Sequence, residues 1–150
     1  EAGGLAHLCR PRAFDVWAMV ADALPEHRAV AVRALLDVVL SDEDQGFRCR
    51  AVEALGRRCA ALPLEEEKGL VADCMAAMRG ALLSKRRHVR EAAARALGNF
   101  ASGGCCRGTR AELLVALVDT SYGDSSLFVR KAAVGALALV AGSPGSDRQS

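Results

Sequence analysis

Three segments of this chain repeat one another, and their spacing limits what the chain can fold into. The copies are Phe47-Arg48-Cys49-Arg50-Ala51-Val52-Glu53-Ala54-Leu55-Gly56, Val89-Arg90-Glu91-Ala92-Ala93-Ala94-Arg95-Ala96-Leu97-Gly98 and Val129-Arg130-Lys131-Ala132-Ala133-Val134-Gly135-Ala136-Leu137-Ala138. Their Ala-Leu steps at residues 54, 96 and 136 are 42 and 40 residues apart. A period of that size is the length of a unit of two or three helices, which buries its apolar face by stacking on its neighbours. An Ala23-Leu24 step lies 31 residues before the first of these steps and predicts a shortened unit at the amino end.

Within each copy the apolar residues recur three and four positions apart: Phe47, Ala51, Ala54 and Leu55; Val89, Ala93, Ala96 and Leu97; Val129, Ala133, Ala136, Leu137 and Val140. Such offsets gather them on one helix face, so each copy reads as the second helix of a pair. The first helices are expected around residues 27–40 (Val30, Ala34, Leu35, Val38, Val39), 66–83 (Leu70, Val71, Cys74, Met75, Met78, Leu82) and 109–118 (Leu113, Leu114, Leu117, Val118). The links Ser41 to Gln45, Ser84 to Arg87 and Thr120 to Ser126 are short, and short links between helices produce antiparallel hairpins. A further row, Phe14, Trp17, Ala18, Ala21 and Leu24, predicts an amino-terminal helix. Glu65, Glu66 and Glu67 sit where negative charge favours the start of the next helix. Composition agrees: hydrophobic residues make up 51% of the chain, yet it has only four Phe, one Trp and one Tyr. The core must therefore be built from Ala, Leu and Val, and small side chains let helices approach closely.

These copies resemble the HEAT-repeat family of the broad HEAT and armadillo class. There the second helix commonly follows an aspartate-containing turn, opens with Val-Arg and closes an Ala-rich run with Ala-Leu-Gly. Val89-Arg90 through Ala96-Leu97-Gly98 matches best; Phe47 replaces Val in the first copy and Ala138 replaces the closing Gly in the last. The family aspartate corresponds to Asp42 or Asp44 in the first turn and to Asp124 in the third, whereas Ser84-Lys85-Arg86-Arg87 lacks it. The resemblance implies an all-α fold, a right-handed α-solenoid of antiparallel helix hairpins with three clear repeats and an amino-terminal partial unit. On that basis residues 1–150 form a single domain: an amino-terminal helix over 12–24, repeats over 27–61, 65–100 and 109–141, and a flexible tail over 142–150. The non-Met start, Glu1, leads to the expectation that the chain is a piece of something longer.

The resemblance also implies that second helices line a concave binding side, which makes Arg50, Glu53, Arg57, Arg58, Glu91, Arg95 and Lys131 candidate partner-binding residues. Arg48, Arg90 and Arg130 recur at one position and suit a structural ladder to turn carboxylates, alongside Leu55, Leu97 and Leu137. The expected function is non-enzymatic: a scaffold that holds a helix or extended segment of a protein partner, within a larger assembly. Nucleic acid is the competing partner, through Lys85-Arg86-Arg87-His88, Arg90 and the Arg57-Arg58 pair, should they align as a basic stripe. A formal net charge of +2 supplies no general attraction to phosphate. Tyr122 is the aromatic most suited to stacking on a base, since Phe14 and Trp17 are expected in an amino-terminal core.

Catalytic and metal chemistry find little support. Only His7, His27 and His88 could act as a conventional base, and Glu26-His27 are adjacent, which rules out an HExxH-type metal face. The six cysteines, Cys9, Cys49, Cys59, Cys74, Cys105 and Cys106, contain no CxxC pair. Cys49, Cys59 and Cys74 read as small hydrophobes; Cys105 and Cys106 lie in a glycine-rich turn where a redox or metal role is the alternative, though no further zinc ligands stand at a familiar spacing. Gly103-Gly104-Cys105-Cys106-Arg107-Gly108 lacks the Gly-Lys-Ser/Thr ending of a phosphate loop. Asp42, Glu43 and Asp44 are turn charges without an opposing acidic partner. No cofactor and no metal are expected. No apolar run approaches the roughly 20 residues of a transmembrane helix, and the cysteine usage leads to the expectation of a reducing, intracellular location, cytoplasmic before nuclear.

Overall fold

The computed structural model describes residues 16–17, 19–20, 22–41, 44–63, 66–103 and 107–142. Among them six α-helices follow one another: α1 Arg28–Ser41, α2 Gln45–Ala60, α3 Lys68–Ala81, α4 Arg87–Ser102, α5 Arg107–Gly123 and α6 Leu127–Ala141, with a 3-10 turn, Pro25–His27, ahead of α1. Helical residues also occur at 16–17, 19–20 and 22–23, where Trp17 packs against the core. His7, Cys9, Phe14, Ala18, Ala21, Asp42, Glu43, Glu65, Gly104, Cys105, Cys106 and the tail beyond Gly142 lie outside the described residues.

The helices pair as hairpins, α1 with α2, α3 with α4 and α5 with α6, and the second helices then pack on one another, α2 along α4 and α4 along α6. This second-helix layer is the most extensively packed part of the fold, and the first helices touch each other far less. Its core rows follow the sequence repeat. Ala51, Ala93 and Ala133 are fully buried, as are Leu55, Leu97, Val89 and Val129; each such Leu or Val stabilises the fold by about 1.5–3 kcal/mol relative to exposure. Phe47, which replaces Val in the first copy, is only half-buried. One row shows the direction of stacking: Val52 and Ala94 are 0% exposed beneath the next repeat, and Val134 at the same position of the last is 56% exposed.

Close approach within the layer depends on missing side chains. A Cβ at Gly56 would lie 2.5 Å from the carbonyl oxygen of Ala96 and 2.6 Å from its Cα, and one at Gly98 would lie 2.6 Å from Ala136 Cβ. The closing glycine of each Ala-Leu-Gly run is therefore the point where one repeat seats on the next. Ala138 takes that place in the last copy.

Several expectations shift, and Leu24 and Val118, both expected in apolar rows, are exposed. In α1 the buried face is Ala31, Val32, Leu35, Leu36 and Val39, while Val30 is exposed. The helix is apolar nearly all round, so two registers fit its sequence and tertiary packing selects one. The link expected over Thr120 to Ser126 is shorter, because α5 runs on to Gly123. Thr120 Oγ1 donates to Ala116 O at 2.8 Å and Ser121 Oγ to Val118 O at 2.7 Å, so both hydroxyls are absorbed by the helix instead of ending it.

The glycine contact makes a prediction with a counterintuitive sign. Ala is the better helix former by about 1 kcal/mol, yet Gly56→Ala should destabilise the protein by about 1–3 kcal/mol because it drives a methyl group into the α4 backbone. Urea unfolding of the variant and the parent measures the difference.

Candidate functional site

The recurrent arginines lie at the turns. Arg90 of α4 reaches forward to the turn of the following repeat, where its Nε and Nη2 donate to Asp124 Oδ2 and Oδ1 at 2.9 and 3.3 Å. Its Nη1 donates back to the carbonyls of Ser84 and Lys85 at 2.9 and 3.2 Å. Arg130 donates to the backbone oxygen of the same Asp124 at 2.7 Å, and Asp124 Oδ1 also accepts the amide of Ser126 at 2.8 Å. Asp124 thus shapes its own turn while clasping the preceding repeat. Burial of this carboxyl, whose side chain is only 9% exposed, works against ionisation. The Arg90 bonds, the Ser126 amide and the charges of Arg90 and Arg130 outweigh that and hold it below the usual aspartate value.

The equivalent clasp is incomplete one repeat earlier. Ser84 stands where Asp124 stands, and its Oγ still accepts the amide of Arg86 at 3.2 Å, so the turn survives. It offers no carboxylate to Arg48, the counterpart of Arg90, and Arg48 Nε is buried without a hydrogen-bond partner among the described residues. In the first turn Asp44 caps α2 by accepting the amide of Phe47 at 3.1 Å.

The outward side of the second helices carries the other candidates, and the repeat offsets arrange them in rows: Cys49, Glu91 and Lys131; Glu53, Arg95 and Gly135; Arg57, Asn99 and Leu139. Between α2 and α4, Arg95 donates to Glu53 at 3.2 Å and to Glu91 at 2.6 Å. Exposed pairs of this kind contribute little stability, about 0–1 kcal/mol, but they lay side chains across the valley between the helices. Arg50, Glu53, Ala54, Arg57 and Arg58 leave only a shallow hollow of about 170 Å³ beside it. Arg58 turns away to Asp22 in the amino-terminal segment, at 3.0 Å. Arg57 and Lys131 are exposed, with no carboxylate paired to either among the described residues.

Between α4 and α6 the valley is open. It forms a groove of about 510 Å³ with Ala132, Gly135 and Ala136 as its floor, Glu91, Arg95 and Asn99 on the α4 side, and Phe128, Lys131 and Leu139 on the α6 side. Phe128 and Leu139 are 55% and 47% exposed, and the Arg87 guanidinium sits 4.7 Å from the Phe128 ring centre. Gly135 takes the row position held by Glu53 and Arg95, so no side chain crosses this valley. A Cβ there would meet nothing within 4 Å. A mid-helix glycine costs about 1 kcal/mol relative to Ala, and packing gives no reason for this one.

Phe128, Gly135, Asn99 and Leu139 are absent from the residues expected from sequence, because charge was the criterion on this face. The row offsets themselves, carried from Glu53 and Arg57, lead to Gly135 and Leu139.

Among the described residues, the histidines and cysteines that catalysis would need do not converge. His88 lies 4.0 Å from Glu91 at an exposed helix start, and His27 belongs to the turn ahead of α1. Cys59 and Cys74 are fully buried; their mutual hydrogen bond, then burial, raises the Cys59 thiol far above its ordinary value, which keeps it protonated. Burial, reinforced by Glu53, also raises Cys49. Among the described residues no group of three His, Cys, Asp or Glu could hold a metal, and no helix is long and apolar enough to cross a membrane.

A family model of HEAT repeats matches residues 32–138, well over half of the chain. The chain belongs to the HEAT-repeat family. No curated protein and no solved structure matches it. HEAT repeats are in general protein-interaction scaffolds, typically without enzymatic activity, and the α-solenoid of stacked hairpins is the architecture of this HEAT-repeat chain.

Two predictions follow from the clasp. Asp124 has a depressed folded value, so its contribution is complete above the ordinary aspartate range, near pH 4, and is lost as pH falls through the folded value. The stability gap between parent and Asp124→Asn should therefore shrink as urea unfolding is repeated at decreasing pH below that range. In the other direction, Ser84→Asp should supply the missing partner of Arg48 and stabilise the protein by about 1 kcal/mol or more. That gain should vanish in an Arg48→Met background, measured as a double-mutant cycle.

Proposed function

We propose that this HEAT-repeat chain is a non-enzymatic protein-interaction module that holds a helix or extended segment of a partner on the outward side of α2, α4 and α6. The open α4–α6 groove, with exposed apolar walls and, among the described residues, nearby cations that have no carboxylate partner, is the observation that carries this reading. A stack packed more tightly through its second helices than its first bends toward the second, which supports placing the partner on the inner curve. Arg50, Glu53, Arg57, Glu91, Arg95 and Lys131 then supply polar register at the rim, and apolar contacts supply affinity. Arg58 contributes by anchoring the amino-terminal segment through Asp22.

The nucleic-acid reading draws on Lys85, Arg86, Arg87 and His88, all exposed. They stand at the opening of α4, whereas Arg57 and Arg58 lie in the last turn of α2. The row position of Arg57 is that of Asn99, so the two basic groups are about 18 Å apart along the helix axes, and between them Glu53 and Glu91 alternate with Arg50 and Arg95. A phosphate backbone needs a continuous positive track, which this separation interrupts.

The test is affinity capture from native extract with reciprocal pull-down, comparing the parent with Arg57→Glu/Lys131→Glu. Both residues are exposed and have no carboxylate partner among the described residues, so circular dichroism should not change while partner retention drops. Unchanged retention would reject this surface, and duplex or single-stranded oligonucleotide binding that falls steeply with salt would replace the protein reading with the nucleic-acid one.

A further inference from the structure

Among the described residues, the α4–α6 valley is where the second-helix surface departs furthest from its own repeat. At the row of Glu53 and Arg95 the two side chains meet and cover the α2–α4 valley. One repeat later the same row ends in Gly135, and the next row ends in Leu139 where the preceding copies have Arg57 and Asn99. The outcome is a groove of about 510 Å³ with an alanine and glycine floor and apolar ends at Phe128 and Leu139. The glycine is not needed for close helix packing, unlike Gly56 and Gly98, since a Cβ at 135 would enter open space. It lowers helix propensity, and the structural feature it provides is the empty volume of the groove.

The charge around the groove favours one kind of occupant. Glu53 and Glu91 share the single Arg95, so that cluster holds one carboxylate in excess; Lys131 on the rim and Arg87 beside Phe128, neither within ion-pair distance of a carboxylate among the described residues, turn the border net positive. An apolar seat with a net positive border complements an apolar side chain flanked by carboxylates.

We infer that the α4–α6 valley seats one bulky apolar side chain of an acidic peptide segment, with Gly135 keeping the seat open and Lys131 meeting a flanking carboxylate. The inference rests on the protein-interaction reading and specifies its partner chemistry. Gly135 and Leu139, one helical turn apart, border the buried side chain, while Phe128, with Arg87 above its ring, lies about 16 Å from Leu139 along α6 and meets the peptide further along the valley.

The experiment selects a displayed library of random short peptides against the intact chain, then measures affinity of an enriched peptide by fluorescence polarisation. The expected result is enrichment of sequences that pair a Leu, Phe, Met or Trp with nearby Asp or Glu. Gly135→Gln, which fills the groove with a neutral side chain, should weaken binding roughly tenfold or more. Lys131→Gln should weaken acidic peptides more than their amide counterparts. Gly135→Ala serves as the control for folding: it should raise the thermal midpoint by roughly 2–4 °C, and Gly135→Gln should keep the helical signal. Enriched peptides that bind Gly135→Gln as tightly as the parent, yet lose affinity in Arg57→Glu, would overturn the valley inference and leave the interaction reading standing. Failure to enrich any peptide would count against both.

Discussion

At Gly56 and Gly98 the second helices come so close that a single methyl group would meet the neighbouring helix, and the rest of the molecule is organised around those two contacts. They set how far apart α2, α4 and α6 lie and fix their register. Register in turn places residues 42 and 40 positions apart in sequence side by side in space. The Arg95 bridge to Glu53, the floor of the α4–α6 groove and the reach of Arg90 to Asp124 all depend on that alignment. A core rich in alanine makes such spacing possible, because larger residues at Ala96 or Ala136 would hold the helices apart.

The same offsets divide structural positions from functional ones. Where the copies agree, as at Ala51, Ala93 and Ala133 or at Leu55, Leu97 and Leu137, the side chains belong to the stack. Where they disagree on the outward side, the surface changes character along the solenoid, from a charged first valley to an open, apolar second one. Recognition in a repeat protein is written in its departures from the repeat, since an identical face at every step would offer a partner no unique register.

Much of the fold was legible in the sequence because helical periodicity and the recurrent Ala-Leu steps both report on burial. The limits were physical. In α1, a helix apolar on most sides, periodicity pointed to Val30, and packing chose Val32 and Leu36. Thr120 and Ser121 read as a link because hydroxyl residues favour turns, but inside α5 they bond back to carbonyls one turn earlier. On the outward face the charged residues were recognisable as candidates, though their pairing was not: Arg58 is tied to Asp22, and Arg95 is shared by two glutamates. Gly135 is the instructive omission, because a residue that acts by leaving space carries no chemical signature of its own.

The unequal clasps give the solenoid a direction of weakness. Each hairpin depends mainly on its immediate neighbours, so its junctions need not open together. The joint secured by Arg90 and Asp124 has a part-buried ionic lock, and at the one before it Ser84 stands in the place of the aspartate. Local opening should start with the α1–α2 hairpin peeling from α3 and α4, while α4, α5 and α6 remain together as the unit in which amide protons exchange most slowly. The groove lies within that unit, so the amino-terminal hairpin could detach and re-dock without dismantling the surface that α4 and α6 present.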